Sequence, residues 1–367
     1  MDNLDSLRYK VLELIAISGE FPSKQLNRLI NSPSYREKLI TGLKNDKLIR
    51  THYKDKLRGY RLTKKSKQLL LNNNPERFHF YLNGNTETNQ VRSELIRRAR
   101  LYQKAEAYLT LLSAGISIYP DQKPNIFSPC YETPASELRS FPLFYSSREI
   151  KALGDSTTKI KNSRSVGVLL SEACIYAMHN TGNHLLKWEY RTEIRVSAFM
   201  QHYLQGILYS SRPIVKGIML GTNMDVAKLL MTSTGGYKRC LFTLDTTYEH
   251  FHYVPNNEAG SIMIKLLCSP TIQEQLDTLL LSDMFPKESS AFEHDALNTV
   301  GIPVLLAYDF DMLRINKFNA ALSIFEKKGM IICFDFQLPI LQNTLGSNIQ
   351  YSSIDFSKFK RRFFHDA

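Results

Sequence analysis

The feature that most constrains the fold is a pair of short alternating segments joined by a basic turn, KLIRTHYKDKLRGYRLT, at residues 47–63. Alternation around a polar turn predicts two antiparallel strands. Tyr60 and Leu62 are the apolar side chains expected to anchor this hairpin to a core. The hairpin directly follows three short amphipathic segments, so its position in the chain is informative as well.

Those preceding segments carry the signals of helix starts and ends. The pattern of SLRYKVLELIAISG predicts a first helix that ends at Gly19, and FPSKQLNRLI predicts a second with Ser23 as its N-cap. Ser32 opens a third helix through SYREKLITGLKND, and Thr63 caps a fourth, KKSKQLLL. Three helices, a hairpin and a further helix predict a winged helix-turn-helix domain over residues 1–75.

Charge is distributed unevenly along the chain. The net charge is +12, and residues 1–104 carry all of it, because residues 105–367 are neutral overall. A basic module on a neutral body indicates a polyanionic partner, and duplex DNA is the one expected for a winged helix, with the third helix in the major groove and the hairpin along the backbone. The predicted DNA-binding residues are Ser34, Tyr35, Arg36, Lys38, Lys44, Lys54, Lys56, Arg58, Arg61 and Lys64.

Other interpretations of the basic region stay open. Charge runs are commonly solvated faces, and winged helices also bind proteins, although a solvated face does not require both the hairpin and the third helix to be basic. Residues 76–118 are predicted to form a basic helical connector containing the long amphipathic helix NQVRSELIRRARLYQKAEAYLTLLSAG. This helix would extend the DNA-binding surface, mediate a homodimer or only join the two halves.

The remaining residues, 119–367, predict an α/β (α+β) domain with a mixed sheet. Residues 119–165 are irregular and rich in Pro, Ser and Tyr, and strand-like and helix-like segments alternate beyond them. The strand-like segments include SVGVLLSEACIYAMHNTG, IVKGIMLG, RCLFTLDTTYEHFHYVP, IPVLLAYDFDM and MIICFDFQL. The chain contains no glycine-rich phosphate loop, which disfavours an ATPase or a dinucleotide enzyme.

Composition and the N-terminal sequence indicate where in the cell the protein is expected. The apolar runs are much shorter than a membrane span, and the polar start MDNLDSLRYK does not resemble a signal peptide. The five cysteines are widely spaced and lie mostly among apolar neighbours, so reduced thiols are expected. We therefore expect a cytoplasmic protein with no membrane partner.

A candidate metal site lies in YEHFHYV, where His250 and His252 flank a phenylalanine. On a strand both imidazoles share one face, as a divalent metal ion requires. The motif looks like the His-hydrophobe-His motif of replication initiators and relaxases, in which a metal polarises the scissile phosphate and a tyrosine attacks it. The candidates for a third ligand are Asp245 and Glu249, and the candidate nucleophile is Tyr203 in FMQHYLQG, although none of them lies in a recognisable motif of that family. The alternative is a pair of strand histidines with no ligand.

A second candidate group is acidic: Asp309 and Asp311 in YDFDM, with Asp335 on a nearby predicted strand. Carboxylates on one face can hold Mg²⁺ or Mn²⁺ for phosphodiester hydrolysis. A restriction-type nuclease would add an acidic-x-Lys motif, and FTLDTTYE lacks the lysine. The alternative is that these carboxylates are polar strand ends facing solvent.

The whole layout, a winged helix, a basic connector and an α/β domain that follows a TEIRVSAF helix start, resembles the replication-relaxation family of Gram-positive plasmids and conjugative elements. The resemblance implies a degenerate restriction-nuclease-like fold and a role in plasmid replication, DNA relaxation or conjugative transfer in a bacterial mobile element, with double-stranded DNA and replication or transfer proteins as partners. A non-enzymatic DNA-binding protein without a cofactor is the first expectation. The alternatives are a nicking endonuclease that uses Mg²⁺ or Mn²⁺, and a transcriptional regulator.

Overall fold

The chain divides into two units, Met1–Asn125 and Ile126–Ala367. The computed structural model describes residues 6–128, 141–154, 160, 163–235, 240–287 and 291–364. Helices and sheets occur in both units, which confirms the expected α/β class.

The first unit combines five α-helices with a small antiparallel sheet of order β1-β3-β2, counted over its described residues. Its elements are α1 (Ser6–Ser18), β1 (Phe21–Pro22), a 3-10 helix (Ser23–Arg28), α2 (Pro33–Asn45), β2 (Ile49–Lys54), β3 (Leu57–Leu62), α3 (Lys64–Asn73), α4 (Pro75–Leu82), α5 (Leu95–Ser113) and a 3-10 turn (Pro120–Gln122). Strand β3 is central, so both of its edges are paired with other strands.

Local sequence explains most boundaries in this unit. Gly19 follows α1 with a φ of +79°, a conformation that glycine adopts without strain. The Ser32 hydroxyl accepts a hydrogen bond from the Tyr35 amide at the start of α2, and Thr63 forms a capping box with Ser66 at the start of α3. These observations confirm the expected ends of α1 and starts of α2 and α3.

The hairpin is also confirmed. Strands β2 and β3 pair from Ile49 opposite Leu62 to Lys54 opposite Leu57, leaving a two-residue turn at Asp55 and Lys56. Both turn residues have positive φ, 53° and 60°, the combination of a type I′ turn.

Two helix predictions in this unit were wrong in detail. The second segment forms a 3-10 helix whose N-cap position is Pro22, which supplies no side-chain cap, so Ser23 does not cap it. The long helix begins at Leu95 rather than near residue 89. Thr86 and Thr88 both donate to the carbonyl of Tyr81, and such local side-chain bonds compete with helix formation. Helix α5, predicted as a connector, packs against α1 and β1 inside the first unit.

Within its described residues, the second unit contains a first mixed sheet of five strands in the order β4-β5-β6-β7-β8. Its elements are β4 (Leu143–Ser146), α6 (Ser147–Lys151), β5 (Ser165–Leu170), β6 (Cys174–Gly182), α7 (Tyr190–Leu204), β7 (Ile214–Gly221), α8 (Asp225–Met231) and β8 (Phe251–Pro255). Pairs β4/β5 and β5/β6 are antiparallel, whereas β6/β7 and β7/β8 are parallel. The strand predicted across RCLFTLDTTYEHFHYVP is reduced to β8, because Asp245 accepts a bond from the Thr247 amide and forms a turn.

A second five-stranded sheet has the order β13-β12-β11-β10-β9. The elements of this part are α9 (Glu258–Leu267), α10 (Pro270–Leu280), β9 (Phe285–Pro286), β10 (Ala296–Leu297), β11 (Pro303–Leu306), α11 (Met312–Ile324), β12 (Gly329–Phe334), α12 (Leu338–Thr344), β13 (Ile349–Ile354) and α13 (Phe356–Phe363). The Tyr253 amide on β8 donates to the Phe310 carbonyl at 3.0 Å, so the edge of the first sheet meets the loop between β11 and α11.

The structure bears on two predictions from the sequence, the absence of a membrane span and the presence of reduced cysteines. Among the described helices, none combines the length and apolar character needed to cross a bilayer. Cys174, Cys240, Cys268 and Cys333 are free thiols, and Cys174 and Cys333 are buried, but Cys240 is exposed. Cys130 lies outside the described residues.

Candidate nucleic-acid interface and a histidine and aspartate cluster

Most of the predicted DNA-binding side chains lie on the surface of the first unit. Eight of the ten are exposed: Ser34, Tyr35, Lys38, Lys44, Lys54, Lys56, Arg58 and Lys64. Arg36 is half-buried, and its Nη1 donates to the Ile30 carbonyl at 3.3 Å. Helix α2 and the β2–β3 hairpin therefore present cations together, and we call these exposed side chains the basic surface.

Arg61 does not belong to the basic surface, so this predicted contact was wrong. It is only 4% exposed, and its Nη2 lies 2.7 Å from Oε2 of Glu20. Arg61 shares one face of β3 with Gly59, and a Cβ built on Gly59 would lie 2.5 Å from the Tyr102 hydroxyl of α5. Helix α5 thus covers a face of the hairpin that a two-stranded wing would leave in solvent.

A buried ionic network fixes the hairpin to the rest of the unit. Glu20 is enclosed, and its Oε1 lies 2.6 Å from Nη2 of Arg98, a fully buried arginine. Arg98 also donates to the carbonyls of Lys54 at 2.7 Å and Leu57 at 3.0 Å, on either side of the hairpin turn. Burial would raise the pKa of Glu20, but the hydrogen bonds from Arg98 and Arg61 outweigh it and lower the pKa. Glu20 is therefore held as a carboxylate.

Sequence reasoning did not identify the positioning role of Glu20 and Arg98, because they lie 78 positions apart. It also omitted two exposed residues of the hairpin: Arg50 on β2, and Tyr53, which is 69% exposed. Strand alternation supplies a signal for Arg50, since it follows buried Ile49 on β2 and therefore points to the opposite face of the strand.

In the second unit, the predicted histidine pair lies beside the edge of the first sheet. His250 immediately precedes β8, and His252 lies within it. The two rings are nearly parallel, with an interplanar angle of 15° and centroids 6.3 Å apart. Their exposure differs greatly, since the side chain of His252 is 2% exposed and that of His250 is 25% exposed.

The fold brings the predicted acidic pair to the same histidines. Nδ1 of His250 lies 2.7 Å from Oδ2 of Asp311. Nδ1 of His252 lies 3.2 Å from the Asp309 carbonyl oxygen and 3.4 Å from its Oδ2. Two sets of residues that the sequence suggested as separate sites thus form one cluster, which we call the His-Asp cluster.

Asp311 has a clear structural role within the His-Asp cluster. Its Oδ1 accepts bonds from the amides of Leu313 at 3.1 Å and Arg314 at 3.5 Å, so it is the N-cap of α11. The same oxygen accepts from the Phe251 amide at 3.1 Å. Asp311 therefore links α11 to β8 and, through Oδ2, orients the His250 ring.

Burial and hydrogen bonding shift the pKa values of the His-Asp cluster in different directions. Burial would raise the pKa of Asp311, but the hydrogen bonds from His250 and from the Phe251 amide lower it far below its usual range. Burial raises the pKa of Asp309, although His252 opposes this rise. Burial also lowers the pKa of His252, and its Nε2 has no hydrogen-bond partner among the described residues. At neutral pH, Asp311 is ionised and His252 is neutral.

The other candidate catalytic residues have structural partners. The Tyr203 hydroxyl donates to the Ile126 carbonyl at 2.7 Å, and its ring stacks on Phe127. Oδ2 of Asp245 accepts from Nε1 of Trp188 at 2.8 Å. Asp335 accepts bonds from the amides that follow β12 and β13. These bonds account for all three residues without a ligand.

The described residues do not complete a metal site at the His-Asp cluster. Within the part of the chain that the structure describes, no group of three or more His, Cys, Asp or Glu side chains is arranged to hold a metal ion. Metal binding by His250, His252 and Asp245, and the use of Mg²⁺ or Mn²⁺ by a nuclease, remain predictions from the sequence.

Comparison with models of known families, with curated proteins and with solved structures found no match to the chain. The replication-relaxation resemblance thus remains a prediction that rests on the layout of the sequence.

Proposed function

We propose that the chain binds duplex DNA through the basic surface of its first unit. One observation carries the proposal: cations of α2 and of the β2–β3 hairpin are exposed together, while Glu20, which pairs with Arg61 of the hairpin, is buried. Asp55 is the sole carboxylate within residues 49–62. The exposed side chains of the hairpin, Arg50, Lys54, Lys56 and Arg58 against Asp55, thus offer phosphate groups a net positive charge.

The two elements suit different parts of a duplex. The first turns of α2 expose Ser34, Tyr35 and Lys38, which are side chains long or polar enough to meet base edges and sugars in a major groove. The hairpin exposes Lys54, Lys56 and Arg58 around a tight turn, where a phosphate backbone would pass. This division of contacts is the one expected of a winged helix.

The test replaces Lys54, Lys56 and Arg58 together with alanine in the full chain. The control replaces three exposed lysines of the second unit, Lys287, Lys317 and Lys328, so both variants lose the same charge. Binding of a fluorescent duplex is followed by anisotropy over a range of salt concentrations. We expect the hairpin variant to bind more weakly and the slope of log affinity against log salt to fall by roughly 2–3, at about 0.9 for each lost phosphate contact.

Equal affinities and equal salt slopes for the two variants would refute the hairpin as a DNA contact. Failure of the wild-type chain to bind any duplex at low salt would refute the proposed function itself. The wider role in replication, relaxation or transfer of a bacterial mobile element is proposed only on the resemblance of the layout. The nicking-endonuclease and regulator alternatives stay predictions from the sequence.

A further inference from the structure

A cleft of about 460 Å³ opens on the first unit beside the start of α5. One wall is the loop after α4, which contributes Asn85 and Gln90, and the other is α5, which contributes Arg97, Arg100 and the apolar floor residue Leu101. Arg92, in the segment that leads into α5, also lines the cleft. None of the DNA-binding residues predicted from the sequence lines it.

The cleft is strongly positive. Three arginines line it against a single carboxylate, Glu87, whose Oε2 is bound by Nζ of Lys104 at 2.8 Å. Arg97 and Arg100 are three residues apart on α5 and so lie on neighbouring positions of one helix face. Arg97 also pairs with Glu94 at 2.9 Å, but both of these side chains are substantially exposed, and such pairs are weak.

Buried contacts hold the walls of the cleft in place. The buried Arg61 guanidinium donates to the carbonyls of Val91 at 3.3 Å and Arg92 at 3.4 Å, which fixes the backbone that carries Arg92. Arg98, the residue after Arg97 on α5, fixes the helix to Glu20. Nζ of Lys67 donates to Oδ1 of Asn89 at 2.7 Å and fixes the loop wall. The arginines therefore project from a rigid frame, and little backbone ordering would accompany ligand binding.

We propose that this cleft is a binding site for a phosphorylated ligand. Arginine guanidinium groups match phosphate oxygens in bidentate geometry, and three of them suit a group with more than one negative charge. The side-chain amides of Asn85 and Gln90 add neutral donors and acceptors, and Leu101 adds apolar area. The volume falls within the range of about 300–1,000 Å³ that is typical of small-ligand sites.

Two kinds of ligand present phosphate groups of this type. One is a free nucleotide, and the other is the backbone of nucleic acid reaching beyond the basic surface. Binding of a nucleic-acid backbone in the cleft rests on the proposed DNA-binding function, whereas binding of a free nucleotide does not.

The test compares wild-type chain with Arg92→Ala/Arg100→Ala and with a control, Lys10→Ala/Lys24→Ala, which removes two exposed lysines outside the cleft. In one arm, ATP and inorganic pyrophosphate are titrated calorimetrically in the absence of DNA. In the other arm, the affinity for a short duplex is measured by anisotropy. We expect the arginine variant to lose at least about tenfold in affinity for a phosphate ligand through the loss of charge-assisted hydrogen bonds, and the control to be unchanged.

Each outcome has a defined meaning. Loss of ATP or pyrophosphate binding in the arginine variant alone supports the site with a free nucleotide. A loss of duplex affinity in that variant alone, with no binding of either small ligand to wild type, supports the site with nucleic-acid backbone. Identical behaviour of both variants in both arms overturns the proposal. If wild type binds ATP but no duplex, the proposed function fails while the cleft site stands.

Discussion

Protonation of His179 should destabilise the second unit in mild acid. His179 lies on β6 with no exposed surface, and its Nε2 lies 3.1 Å from the Tyr248 hydroxyl. Nδ1 has no hydrogen-bond partner among the residues described. Burial lowers the pKa of His179 to about 3, because the imidazolium would lose its hydration and gain no counter-charge.

The sign and size of the effect follow from linkage. The unfolded chain takes up a proton at this residue near pH 6.5, whereas the folded chain does so only near pH 3, so the free energy of unfolding falls between these values. At 1.36 kcal/mol for each pH unit, the loss between pH 7 and pH 4.5 is about 2.5 kcal/mol. The contribution is fully present above pH 6.5 and is lost as the pH falls toward 3.

Trp188 provides the assay. It is the only tryptophan of the chain, and its ring centroid lies 5.0 Å from that of His179. Urea unfolding followed by Trp188 fluorescence at both pH values gives the loss for wild type and for His179→Gln, a variant that cannot titrate here. We expect the wild-type loss to exceed that of the variant by about 2.5 kcal/mol. Equal pH dependence of the two proteins would refute the linkage of stability to this residue.

Three further perturbations test the packing of both units by urea unfolding. Gly59→Ala should lower the stability of the first unit by about 1–3 kcal/mol, because the new Cβ would lie 2.5 Å from the Tyr102 hydroxyl and 2.6 Å from Oε1 of Glu20. Arg98→Met should lower it by about 3–5 kcal/mol, since Glu20 would lose a buried charge partner. Asp311→Ala should cost about 1–2 kcal/mol from the lost N-cap of α11. That cost should be present at neutral pH and shrink below about pH 4, because the lowered pKa of Asp311 makes its contribution depend on ionisation.

Local signals predicted much of the fold. Three helix ends depend on short-range features: the positive φ of Gly19, the hydroxyl cap of Ser32 and the capping box of Thr63. The helices that begin or end at these residues could therefore be placed from the sequence. The start of α5 was misplaced because Thr86 and Thr88 bond to the backbone in a way that amphipathic periodicity does not encode.

The candidate sites depended on contacts that are distant in sequence. Alternation on β3 indicates which residues share a face, but nothing nearby shows that α5 covers the face of Arg61. The His-Asp cluster illustrates the same point, since 61 positions separate His250 from Asp311. The histidine pair and the aspartate pair can each be seen in the sequence, but only the fold of the second unit brings the two pairs together.

The reach of Arg98 into the hairpin has a consequence for dividing the protein into fragments. A fragment that ends at residue 75, the boundary expected for a winged helix, would keep Glu20 and Arg61 but lose the guanidinium that binds the carbonyls of Lys54 and Leu57. A fragment that retains these hydrogen bonds must include Arg98, and one that keeps the whole of α5 extends to Ser113. The basic surface thus depends on a stretch of chain about one and a half times as long as the winged-helix motif that contains its side chains.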